Sequence, residues 1–320
     1  MSAYRFLGSD PFGPIVHCRS WILATPRDRV SYRLRGQYLY GGEQDEQSIR
    51  KVARWIGRRR GVTLMGLSSF LERLLRSFEE FDLKAPRGAV SVVLAVGEPA
   101  SAYLKAAVPR HFGIGLSIRY SNTENGIIGF AKDTTQPYQL DTSTFHIEIL
   151  ALDSDEPAPP GVVGRIVITD LYNRATPFIR YDTGDLGRFA MDERGLPIPN
   201  ELAELVGRRS DVPIGGTEQS PVRATVFRLL MKIDCLPTIT QFQLRQNAIG
   251  RFTYALNAER SSQLNAALRL HPEEEIGGIL SCEFQYTDDI PLENSGKRRF
   301  FVSEIPDPER VLSASGRTAQ

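Results

Sequence analysis

Apolar positions return every three or four residues in two stretches of this chain. In GEQDEQSIRKVARWIG, Ile49, Val52 and Ile56 share one face, which predicts a helix. Arg58-Arg59-Arg60 follow it, and cations suit the negative C-terminal end of a helix dipole. In SSFLERLLRSFEEF the stripe is Leu71, Leu74, Leu75 and Phe78, with Ser69 and Glu72 at capping-box spacing, so a second helix is expected to open there. Val62 to Met65 reads as a short buried strand. SVVLAVGEPAS reads as a β-branched strand, a Gly97-Glu98-Pro99 turn and a helix through YLKAAV. GIGLSIRYSNTENG gives another strand ending in a polar cluster. This strand–helix–strand rhythm predicts an α/β domain with parallel strands. Ligands of such sheets sit beyond the carboxyl ends of the strands, where the clusters after Val96 and Arg119 fall.

From Phe145 the pattern changes. HIEILALDSDEPAPPGVVGRIVITDLY predicts two strands joined by an acidic, proline-rich loop. RYDTGDLGRFAM continues with another strand, then a turn at Asp192-Glu193-Arg194-Gly195. Past LVGRRSD a smaller unit begins. It holds a hairpin turning near Asn247 to Gly250, a short helix in SSQLNAALRLH and a strand in ILSCEFQY. The expected division is an α/β portion over 1–206 and a small α+β domain over 207–320, with the linker Gly207 to Asp211 as a hinge.

Bulk properties narrow the function classes. The 320 residues suffice for two domains with real cores, and 41% hydrophobic with 24% charged residues is ordinary globular composition. A net charge of +1 gives no general pull toward nucleic acid or an anionic membrane. Three scattered cysteines without a CxxC pair argue against a zinc site and for a reducing compartment. No signal peptide and no apolar stretch of about 18 residues is present, so a cytoplasmic protein without membrane insertion is expected. His17, His111, His146 and His271 show no hydrolase spacing.

Four polar clusters follow one another: Gly97-Glu98-Pro99, Tyr120-Ser121-Asn122-Thr123-Glu124, Tyr181-Asp182-Thr183-Gly184-Asp185 and Asn294-Ser295-Gly296-Lys297. Each alone is weak. In this order they resemble the adenylate-forming (AMP-binding) superfamily, most closely its phenylacetate-CoA ligase-like members. GRIVITDLYNRATPFIRYDTGDL is similar to the line those proteins carry through their Tyr-x-Thr-Gly-Asp motif. YSNTENG resembles their Tyr-x-x-Thr-Glu motif, LVGRRSDVPIGGTEQSP their hinge and the loop after it, and IPLENSGKRR their C-terminal Gly-Lys motif.

The resemblance implies a fold: a remnant of the large N-terminal α/β domain of adenylate-forming enzymes plus a small mobile α+β lid. It implies ATP, Mg2+ and coenzyme A as cofactors and a carboxylic acid, aryl or fatty, as substrate. Carried onto this sequence, Asp185 would hold the ribose hydroxyls, as a carboxylate accepting two donors can. Gly184 would permit a tight turn. Arg208 would reach toward ribose or phosphate, Tyr120 would lie against adenine, and Gly97-Glu98 would border it through the backbone. Thr123 would contact phosphate, Glu124 would help place magnesium, and Lys297 would neutralise the α-phosphate. An acid pocket would be lined near Leu94, Phe112, Ile114 and Ile118. Asp182 has no such role and reads as structural.

Two departures qualify the resemblance. The family's phosphate loop, a Ser/Thr/Gly-rich run ending near a lysine, has no counterpart in the residues before Gly97, which reads as an N-terminally shortened relative. At the hinge, Arg208 is followed by Arg209 and Ser210, and the acid is delayed to Asp211. Three functions are therefore expected alternatives: a working acyl-activating ligase, one half of a split enzyme whose second polypeptide supplies the phosphate loop, or a catalytically degenerate relative that binds a nucleotide, an acyl-adenylate or a partner. The resemblance implies coenzyme A as the acceptor by default, with a carrier-protein thiol or an amine as alternatives for the same first half-reaction.

Overall fold

Strand β3, Val62–Leu67, is buried along its whole length, and the chain enters it directly from helix α1, Glu46–Gly57. This is the unit from which the larger part is built. A computed structural model describes residues 6–10, 12–19, 36–40, 45–152, 154–208, 213–216, 221–223, 239–276, 281–291 and 299–305. Contacts divide the chain into two compact units. Residues 1–183 and 187–205 belong to the first, and 184–186 and 206–293 to the second.

In the first unit, β1 (Ile15–Arg19), β2 (Gly36–Tyr40), β3, β4 (Val90–Val96) and β5 (Leu116–Asn122) are parallel neighbours in the order β2-β1-β3-β4-β5. Helix α2 (Ser68–Glu80) connects β3 to β4, and α3 (Ala102–Phe112) connects β4 to β5. The expected stripes are core: Ile49, Val52 and Ile56 of α1 and Leu71, Leu74, Leu75 and Phe78 of α2 are buried in one cluster with Val93 and Leu104. Each such side chain contributes about 1.5–3 kcal/mol on leaving water.

Beyond β5 the sheet turns antiparallel. Strands β6 (Gly126–Ala131) and β7 (Tyr138–Leu140) pair next, and the run ends β11-β10-β9-β8. Here β8 is Phe145–Leu150, β9 Gly164–Asp170, β10 Tyr181–Met191 and β11 Pro197–Arg208. No helix follows β5, although the polar cluster repeats the pattern that precedes one after β4. Residues 123–125 instead form the turn of a β5–β6 hairpin.

The second unit contains a two-stranded sheet of β12 (Ile214–Gly216) and β13 (Pro221–Arg223). Its four-stranded sheet runs β16-β15-β14-β17. These strands are β14 (Ile239–Ala248), β15 (Arg251–Ala258), β16 (Ser281–Tyr286) and β17 (Phe301–Ser303). Helix α4, Ser262–Ile276, is longer than the expected short segment. Tyr254, Leu244, Leu256 and Leu268 centre its core. No helix among the described residues is long and apolar enough to cross a membrane.

Candidate functional site

Strands β4 and β5 are paired with Val96 opposite Arg119. The next residues, Gly97 and Tyr120, therefore stand side by side at the carboxyl edge of the parallel strands, where α/β sheets bind ligands. Gly97 has φ +73°, a left-handed turn that costs glycine least, and it is exposed. Glu98 is turned inward and only 9% exposed. Its Oε2 accepts a hydrogen bond from the Ser69 backbone N–H at 2.8 Å, and its carbonyl accepts one from Ser68 Oγ at 3.0 Å.

That geometry corrects the expected capping box. The N-cap of α2 is Leu67, which has no side-chain cap. Because α2 starts directly at the end of β3, its first N–H groups face the neighbouring loop, and the Glu98 carboxylate serves them and the positive helix end. Glu72 turns elsewhere: its Oε2 accepts from Ser101 Oγ at 2.6 Å and its Oε1 pairs with Arg76.

Tyr120 is 4% exposed and packs with Ile128, Leu140, Ile147 and Ile168 in the core of the antiparallel half. Past it, Asn122 shapes the hairpin tip: its Oδ1 accepts from Asn125 N at 2.7 Å, and its Nδ2 donates to Asn125 Oδ1 at 3.0 Å. Thr123 and Glu124 are exposed on this tip. The residues expected to line an acid pocket are core instead. Leu94 is fully buried with Met65 and Val92, while Phe112 joins the helix-side cluster with Ile114 and Ile118 against it.

Among the described residues, three buried side-chain atoms at this edge have no hydrogen-bond partner: Ser69 Oγ after β3, Arg119 Nε in β5 and Asn125 Nδ2 in the hairpin turn. Buried polar groups are nearly always satisfied, so each calls for a water or a ligand group. No sequence pattern marks these three for such a role: Ser69 has the spacing of a cap, and Arg119 and Asn125 fall outside the motif positions. Their one signal was position beside the ends of adjacent strands. For a magnesium ion, the tip offers the exposed Glu124 carboxylate, and no group of three or more His, Cys, Asp or Glu residues gathers among the described residues. A single carboxylate fits an ion that completes its shell with phosphate oxygens and water.

The Tyr181–Asp185 cluster lies within one continuous strand, so the expected tight turn at Gly184 is replaced by an irregularity inside β10. Gly184 has φ +74°, a conformation other residues adopt at a cost. Thr183 is buried and its Oγ1 donates to the Ile166 carbonyl at 2.8 Å. Asp182 pairs with Arg165 at 2.8 Å. Asp185, half-buried, falls among residues 184–186 that group with the second unit. Arg208 ends β11 after Gly207, whose φ is +122°. Lys297, Arg209, Ser210 and Asp211 lie outside the described residues.

No family model matches the chain, and no curated protein matches it in sequence. Solved structures do match in fold. A 2-hydroxyisobutyryl-CoA ligase in the postadenylation state, in complex with R3-HIB-AMP, superposes with a TM-score of 0.68 at 16% identity, over 98% of this chain and 69% of that one. ATP-bound MatB from Rhodopseudomonas palustris gives 0.60 at 17% identity, over 93% and 60%. The amide bond synthetase McbA from Marinactinospora thermotolerans gives 0.65 at 16%, over 98% and 64%. The chain thus spans about two thirds of the length of the proteins it is similar to. The resemblance carried by the polar clusters and the superposition agree: this chain has the fold of the adenylate-forming enzymes.

Proposed function

We propose that the chain activates a carboxylic acid with ATP to give an acyl-adenylate, and passes the acyl group to a thiol, coenzyme A or a carrier protein. The observation that carries this reading is the placement of Gly97 and Tyr120 beside each other at the carboxyl edge, with unpartnered Ser69, Arg119 and Asn125 atoms around them, in a fold whose neighbours include an ATP-bound enzyme and a ligase with an acyl-AMP.

In this proposal the Gly97 backbone borders adenine, and Asp185 accepts the ribose hydroxyls. Thr123 and Glu124 face the phosphates and magnesium from the hairpin tip, and Arg208 reaches the ribose or α-phosphate. Glu98 acts through α2, which it caps. The acid's carboxylate oxygen attacks the α-phosphorus, an O–P bond forms and pyrophosphate leaves. Lys297 neutralises charge on the α-phosphate during that step; losing one such stabiliser typically costs ~10²–10³ in rate. The thiol then attacks the acyl carbon and AMP departs. The domain assignment belongs here too: a lid over 207–320 pivoting at Gly207 to Asp211, for which the φ of +122° at Gly207 gives support. The class of the acid, aryl or fatty, rests on the resemblance of the polar clusters alone.

A second reading is a non-catalytic nucleotide or acyl-adenylate binder. It draws on Tyr120, which is packed into the core of the antiparallel half rather than open to a base. Calorimetry with MgATP on the wild type, Asp185→Ala and Lys297→Ala separates the two, with pyrophosphate release read on a panel of aryl and fatty acids. Turnover lost in Lys297→Ala, with binding lost in Asp185→Ala, supports the ligase. Binding without turnover moves the assignment to a binder, or to a split enzyme completed by a second polypeptide. No binding in the wild type removes the nucleotide site altogether.

A further inference from the structure

We propose a second, separate binding site on the outer face of α1, for the phosphate groups of a small polyphosphorylated ligand. It does not rest on the adenylation reading. Lys51, Arg54, Trp55, Arg58 and Arg59 form the described walls of a depression of about 600 Å³. That volume is within the range of small-molecule sites. Lys51 and Arg54 are three apart on α1 and so share one face, Arg58 is its C-cap, and Arg59 follows just past the helix end.

All four are exposed, and none has an acidic partner among the described residues. Arg50 on the same helix is taken by Glu46 at 2.7 Å and adds nothing. Two of the guanidinium groups are held in place. Arg54 Nε donates to the Arg50 carbonyl at 3.2 Å, and Arg59 Nη1 donates to the Trp55 carbonyl at 3.1 Å. Arg59 also lies 3.9 Å over the Trp55 ring. A guanidinium fixed at one edge presents its remaining donors as a fork that matches phosphate oxygens.

Helix-dipole compensation uses the last turn, where Arg54 serves it, with Arg58 at the C-cap. Lys51 stands a turn earlier, and Arg59 and Arg60 lie past the helix, so the cluster exceeds what the dipole draws on. The loop after α2 adds Arg87 to the same edge, because Gly61 N–H donates to the Gly88 carbonyl at 3.3 Å. Several forks around one depression select a polyvalent anion. A concave site on a chain of net charge +1 favours a small ligand over a nucleic acid, which needs an extended basic face.

The location separates this site from the one described above. α1 runs into the amino end of β3, so Arg58 to Arg60 lie at the amino edge of the parallel strands. Gly97 and Tyr120 lie at the carboxyl edge.

The chain has two tryptophans, Trp21 and Trp55, so a Trp21→Phe protein reports on Trp55 alone. In the full chain at fixed ionic strength, tripolyphosphate is expected to change Trp55 fluorescence saturably, ATP to do the same and adenosine to do nothing. Arg54→Gln/Arg58→Gln is expected to weaken tripolyphosphate at least about 10-fold, since each loses charge-assisted bonds. Arg54→Lys/Arg58→Lys should keep part of the affinity, and Asp185→Ala all of it. These side chains are exposed, and circular dichroism checks the fold; Lys51→Gln is a second variant with a smaller expected loss. Equal tripolyphosphate affinity in wild type and Arg54→Gln/Arg58→Gln overturns the proposal. So does adenosine binding as well as ATP, or a DNA duplex binding where tripolyphosphate does not.

Discussion

Arg165 Nη1 donates to Asp182 Oδ2 at 2.8 Å, and the same guanidinium holds the loop before β9. Its Nη2 donates to Asp155 Oδ1 at 2.7 Å and to the Ser154 carbonyl at 2.6 Å, and its Nε donates to the Ala151 carbonyl at 2.9 Å. One side chain, 9% exposed, thus ties the acidic loop to the strand that carries Asp185. Replacing it by leucine leaves Asp182 and two carbonyls without this donor. The expected loss is about 2–3 kcal/mol of stability, read as a lower urea midpoint, because bonds to charged groups are the stronger kind. Arg165→Lys, which cannot reproduce the fork, should recover only part.

The same clamp has a pH signature. The Arg165 guanidinium beside Asp155 holds that carboxyl below the usual range. A depressed carboxylate stabilises the fold above its unfolded pKa, about 3.9, and loses that contribution as pH falls through the lower folded value. Urea midpoints of wild type and Asp155→Asn should therefore differ at pH 7 and converge toward pH 3. The gap should be small and shrink with salt, since Asp155 is exposed. A gap that widens on acidification would contradict the assignment.

Two glycines of β10 should respond to alanine for opposite reasons. At Gly184 an added Cβ meets nothing within 4 Å, but φ is +74°. The cost there is backbone strain, about 1 kcal/mol, and Asn should cost less than Ala. At Gly187 an added Cβ would stand 2.7 Å from the Glu204 carbonyl oxygen and 2.9 Å from Ile166 Cδ1. Gly187→Ala must push two strands apart and should cost more than Gly184→Ala in thermal unfolding. Equal losses would mean that β10 adjusts its pairing.

The positions legible in the sequence were those with a period. Ile49, Val52 and Ile56, and Leu71 to Phe78, could be placed because a helix buries one face. The β14–β15 hairpin could be placed because its strands meet across a short turn. What stayed hidden depended on contacts between distant segments. Ser69 and Glu72 have the spacing of a cap, yet Glu98, 29 residues from Ser69 in sequence, supplies it. The polar cluster from Tyr120 to Glu124 ends a strand as the sequence suggests, but that strand β6 pairs back onto β5 there depends on a contact the pattern does not encode. The glycine of Asp-Thr-Gly-Asp suggested a turn, because positive φ inside a strand has no sequence signal of its own. In the candidate site the motifs marked Gly97 and Tyr120, while Arg119 and Asn125 emerged only once buried atoms could be matched with partners.

Glu98 offers a test that separates support from recognition. Glu98→Ala removes the acceptor for the Ser69 N–H at the positive end of α2, an expected loss of about 1–2 kcal/mol in chemical denaturation without any ligand. Glu98→Gln keeps an acceptor and should lose less. With MgATP at saturation, both variants should show the wild-type ligand-induced rise in melting temperature. A rise missing in Glu98→Gln would place its carboxylate in direct contact with the ligand.

The change from parallel to antiparallel pairing along the large sheet also sets an order of folding. Strand β1 finds β3 only after Ile15 meets Thr63, with β2 and α1 in the intervening chain. Strands β14 and β15 meet across a turn in which Ala248 pairs with Arg251. Distant pairing must meet its loop-closure entropy before contacts repay it, so local hairpins close first. The β5–β6 and β14–β15 hairpins can form while the amino-terminal strands still search for one another. The last amides to gain protection from hydrogen exchange during refolding should then be those of β1 and β3. The hairpin tip that bears Thr123 and Glu124 would be shaped before the parallel edge beside it exists.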